Sequence, residues 1–117
     1  MANEITTTFQ TLLSNSTLKD SHSSGQIAID QASAKVTRNV QTITTLEVAL
    51  ELGGITTPGV CMFQNLDDTN FVEIGVSGTM VIKLKPGEQY CVRLTTLAPF
   101  AKADIAPVEL FYIIYED

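Results

Sequence analysis

The side chains able to do chemistry are few in this chain, and they are scattered. His22 is the only histidine, and it follows Asp20 and Ser21. Three adjacent residues cannot form a nucleophilic relay, because a triad is assembled across a fold by geometry. His22 therefore reads as a solvated histidine in a Ser-rich loop. Two cysteines, Cys61 and Cys91, and one distant histidine do not make a zinc site. They read as free thiols in strands; a disulfide between them needs neighbouring strands and suitable Cβ geometry. Asp67, Asp68 and Asn70, with Glu73 nearby, offer oxygen ligands of the kind calcium takes. The same residue types are what a tight turn needs for its own backbone. Glu47, Glu51 and Glu88 are the carboxylates that a glycosidase would have to pair. Their settings suit the solvent faces of strands instead. Gly53-Gly54 and the stretch 75–78 lack the lysine and helix of a phosphate loop. The residues thus predict a non-enzymatic protein with no catalytic residue and no cofactor. Asp67, Asp68 and Asn70 are the calcium candidates to examine.

The elements that must position these groups are β. The chain has 117 residues, the length of one domain, and is long enough to bury a core unaided. Its hydrophobic fraction of 44% is high for this size and points to apolar surface covered by partners. The net charge of −6 and the dispersed basic residues disfavour nucleic acid. No apolar run has the length of a membrane span, and the first four residues do not open a signal peptide, so synthesis in a cytoplasm is expected.

Residues 5–13 put Ile5, Thr7, Phe9, Thr11 and Leu13 on one side and read as a strand. Residues 14–25 are Ser-rich and read as a loop, or a weak strand around Leu18 with a flexible tip, so residues 1–25 can form an arm. Residues 25–31 and 35–44 read as strands. Residues 45–54 alternate as a strand, with one helical turn as the rival reading. Residues 55–59 read as a turn, type II through Pro58 and Gly59. Residues 59–94 form the centre: four short strands, separated by Asn65–Asn70, by residues 75–78 and by Pro86-Gly87, read as a run of hairpins. Met80, Ile82 and Leu84 are expected inside, with Lys83 and Lys85 on a solvated ridge or against an acidic partner. Residues 95–107 read as a long loop. Residues 108–115 are apolar on both alternating sets, which suits a central strand or one covered by another subunit. About eight strands predict an all-β, antiparallel two-sheet β-sandwich, jelly-roll-like, in a single domain.

The central stretch resembles small virion structural proteins of tailed bacteriophages. The residues that carry the resemblance are Thr57-Pro58-Gly59, Asn65-Leu66-Asp67, residues 69–75 (TNFVEIG), residues 83–88 (KLKPGE), Arg93-Leu94 and Ala101-Lys102-Ala103-Asp104. Together they span about the C-terminal two thirds. Cys61 and Cys91 depart from the ordinary apolar residues expected there. The resemblance implies a protein of the virion, made in a bacterial cytoplasm. It implies a decoration or cement protein that binds the major capsid protein or other virion proteins, a homo-oligomer such as a trimer, with no nucleic-acid or membrane partner. A neck, tail or head-fibre component is the alternative, and a carbohydrate-binding module a more distant one, since three tyrosines and no tryptophan make a poor sugar platform. Phe9, Phe111, Ile113 and Tyr115 are the expected interface residues.

Overall fold

The computed structural model describes residues 4–32, 34–96 and 98–117; residues 1–3, 33 and 97 lie outside the described residues, Leu97 falling within the expected 95–107 loop. The described chain is all-β, with ten strands, antiparallel pairings and no helix. It divides into two compact units, one ending at Ala32 and one beginning at Ser33.

The first unit is a hairpin of β1 (Ile5–Asn15) and β2 (Leu18–Ile29). The Ser-rich stretch expected as a loop is strand here. Serine and threonine side chains do not block a β ladder, and Ser16 takes φ 54° in the two-residue turn that pairs Asn15 with Leu18. A bulge between Thr8 and Gln10 keeps the faces in step: Gly25 takes φ 68°, and the Phe9 amide donates to Ser24 Oγ at 2.9 Å. The register places Ile5 opposite Ile29 and Thr7 opposite Ile27, on the side that also carries Phe9 and Leu13.

The second unit is two four-stranded sheets. The first has the order β3-β10-β5-β8, with β3 (Val36–Ile43), β10 (Val108–Glu116), β5 (Pro58–Asn65) and β8 (Gln89–Arg93). The second has the order β4-β9-β6-β7, with β4 (Val48–Ala49), β9 (Phe100–Ala103), β6 (Val72–Val76) and β7 (Thr79–Leu84). Ile43, Cys61, Phe63, Leu110, Tyr112 and Ile114 of the first sheet share one buried core with Val72, Ile74, Leu84, Ala101 and Ala103 of the second. The arrangement is sandwich-like.

Several expectations are corrected. The expected 95–107 loop contains β9, whose alanines let it pair closely with β6. Residues 45–54 supply only the two-residue β4, and no helical turn. Pro58 and Gly59 belong to β5 rather than to a turn; Gly59 has no positive φ. The run of hairpins also gives way. Among the described strands of this unit, β6 and β7 are the only sequential neighbours that pair; each other connection crosses between the sheets. Turn residues reverse the chain equally well within a sheet or from one sheet to the other, so their spacing alone does not distinguish the two.

Asn65 makes the crossing possible. It is fully buried at the end of β5, where the chain leaves one sheet for the other. Its backbone extends the ladder to Glu88 O (3.0 Å) and Gly87 N (3.1 Å). Its side-chain amide donates to Asn70 O (2.9 Å) and Leu84 O (3.0 Å), while Oδ1 accepts from Asp67 N (2.8 Å). One side chain thereby satisfies backbone groups that the corner would otherwise leave unpaired.

Candidate functional site

The second unit has two outer sheet faces of opposite character. Outside β4-β9-β6-β7, the register aligns Glu73 with Lys83 on one side and Lys102 on the other. Lys83 Nζ lies 4.1 Å from the centroid of Phe71. Lys83 and Lys102 are exposed here, and so is Val81 of β7.

Outside β3-β10-β5-β8 the face is apolar across four strands. Val108, Leu110, Tyr112 and Ile114 turn inward and are buried, so Glu109, Phe111, Ile113 and Tyr115 turn outward. Val40 lies beside Phe111, Arg38 beside Ile113 and Val36 beside Tyr115. On the other flank Met62 lies beside Ile113, and Cys91 beside Met62. Val36 and Val40 are 58% and 50% exposed, whereas Ile113 is only 8% exposed at the centre. The rim is polar. Arg38 places its guanidinium 5.7 Å from the Phe111 centroid, Thr42 donates to Glu109 and Arg93 pairs with Asp117 at 2.9 Å. An apolar centre inside a polar rim is the composition of a protein-binding surface.

Phe111, Ile113 and Tyr115 are thus brought together on one face. Phe9 belongs to the first unit, 38% exposed, on the side of the hairpin that carries Leu13 and Ile27. Sequence reasoning did not assign Val36, Val40, Met62 and Cys91 to the face. The signal available was the even spacing of Val36 and Val40 against the odd position of Ile43, which the structure buries completely.

The calcium candidates occupy the corner between β5 and β6. Asp67 Oδ2 accepts from the amides of Asn70 (2.6 Å) and Thr69 (2.9 Å), and these two bonds hold its carboxyl below the usual range. Asn70 gives its carbonyl to Asn65. Asp67 and Asn70 therefore close the corner through their own backbone and side-chain bonds. Among the described residues, no three His, Cys, Asp or Glu side chains gather as a metal site.

The three glutamates serve separate local structures. Glu47 accepts from Gly78 N and Ser77 Oγ, Glu51 from Asn39, and Glu88 from Lys85 N. His22 lies in β2 opposite Thr11. Cys61 pairs with Val92 and Cys91 with Met62, so the thiols sit on opposite faces of adjacent strands and both are free. Burial pushes the Cys61 thiol up to about 12 and raises that of Cys91 as well.

No family model, curated protein or solved structure matches the chain.

Proposed function

We propose that the chain is a non-enzymatic virion structural protein of a tailed bacteriophage, a jelly-roll-type decoration protein that binds the major capsid protein lattice. The observation that carries the reading is the outer face of β3-β10-β5-β8. Phe111, Tyr115, Met62, Val36 and Val40 form an apolar surface with a polar rim, opposite a charged face suited to water. The resemblance over residues 57–104 supports the phage setting, and the crossing connections of the second unit support the jelly-roll description.

A protein that binds only the assembled shell stabilises it by mass action, and repeated copies on a lattice add avidity. Phe111, Ile113 and Tyr115 supply the area, while the Arg93–Asp117 pair marks its polar rim.

The test is the copy number in purified particles, measured by quantitative mass spectrometry against the major capsid protein. One copy per capsid subunit or per capsomer supports decoration. A handful of copies assigns the protein to the neck or tail, and absence from particles ends the virion reading. Particles rebuilt with Phe111→Asp protein should lose the bound copies while the isolated variant keeps its fold.

A further inference from the structure

The edges of the two sheets are not equivalent. In β4-β9-β6-β7, β4 is two residues long, and β7 carries a bulge with Lys83 beyond it. Both features discourage pairing with another chain. In β3-β10-β5-β8, β8 has five residues and its Arg93 is paired with Asp117. β3 is different. It is an edge strand of eight residues that pairs with β10 without a bulge. Its outward residues Val36, Arg38, Val40 and Thr42 are all exposed, and it contains neither proline nor lysine. Such an edge is a template for one more strand.

We propose that two copies of this chain pair β3 with β3 about a twofold axis at Val40, forming a continuous sheet across the dimer. The choice of a second copy rests on charge complementarity. Register slips must be even to keep the outer faces together. An axis on Arg38 sets two guanidinium groups against each other, one on Asn39 sets Arg38 against Val40, and one on Gln41 sets Arg38 against Thr44, beyond the end of β3. A centre at Val40 sets Val40 against Val40 and Arg38 against Thr42 of the second copy. Glu109 stands directly behind Thr42, already hydrogen-bonded to it. Two strand spacings of about 4.8 Å separate the Arg38 and Glu109 backbones in that arrangement, a gap the two side chains span. Arg38 leaves the Phe111 ring to make the pair, and symmetry forms the pair twice. The dimer joins two apolar faces into one surface and goes beyond what that surface binds.

Within one copy Arg38 and Glu109 are four residues out of register, about 13 Å along the strands, so they cannot couple there. A charge swap therefore reports only the contact between copies. Sedimentation of the purified chain over a concentration series should give a dimer. Arg38→Glu and Glu109→Arg should each weaken it roughly tenfold, and the double variant should recover most of the loss. Val40→Lys should give a monomer with an unchanged circular dichroism spectrum, since Val40 is half exposed. A monomer at every concentration, a trimer, a dimer indifferent to Val40→Lys, or a double variant without recovery would each overturn the proposal.

Discussion

At the scale of single residues, the side chains that drew chemical interest turn out to hold backbone in place. Asn65 is the strongest case, because each of its side-chain bonds goes to a main-chain group at the corner. Asn65→Leu keeps the branched shape but orphans those groups, so equilibrium denaturation should show a loss of about 2–4 kcal/mol. Tyr112 plays a similar part under β3. Its hydroxyl has two acceptors in reach for its one proton, Gln41 Oε1 (2.8 Å) and Glu51 O (2.7 Å), and accepts from Asn39 (3.2 Å). Cys61 has a consequence in pH. Its folded pKa of about 12 lies above the model-compound value of 9.0, so the unfolded chain ionises first. The stabilisation is complete below pH 9 and is lost as pH rises toward 12. Thermal unfolding followed through that window should show a falling midpoint, less steep in Cys61→Val. The types of these residues were legible in the sequence. Their roles were not, because a buried asparagine at a corner and an exposed one in a hairpin loop read alike.

At the scale of elements, β10 is the strand whose character the sequence displays most clearly. Apolar residues at both alternating sets predict a central strand, and β10 lies between β3 and β5. The hairpin of β6 and β7 across residues 75–78 was legible, but the pairing of β5 with β8 was not. β5 pairs with β8 and β6 with β7, so one pair is nested in the other and bent at Asn65. The bend of β7 needs Gly75. A Cβ there would collide with the Thr79 carbonyl and lie 2.8 Å from Met80 Cα, both backbone atoms that cannot rotate away. Gly75→Ala should cost about 1–3 kcal/mol as overpacking. Gly54→Ala is the control, since nothing lies within 4 Å of that position and its φ is not positive. A comparison of denaturant midpoints for the two variants checks the contrast.

At the scale of the whole molecule, two units of different kind share one chain. The second has a core between sheets, whereas the first is a two-stranded hairpin with Phe9, Leu12, Leu13, Leu18 and Ile27 exposed. Two paired strands bury little apolar surface between themselves, while a strand inside a packed sheet opens only with the core. Hydrogen exchange should therefore find the amides of β1 and β2 unprotected well before those of β10 and β5; equal protection would contradict this. The sequence by itself determined the all-β class, the alternation that buries Phe63, Ile74, Leu110 and Ile114, and the grouping of Phe111, Ile113 and Tyr115 on one side of a strand. Local backbone preference and the period of two are enough for that. Tertiary structure alone decided which strands pair beyond the β6–β7 hairpin, that a Ser-rich stretch becomes β2, and that Val36, Val40, Met62 and Cys91 complete the face. Pairing joins residues far apart in sequence through backbone groups that are the same in every residue. The choice among partners therefore comes from how the whole set of apolar faces can be buried at once.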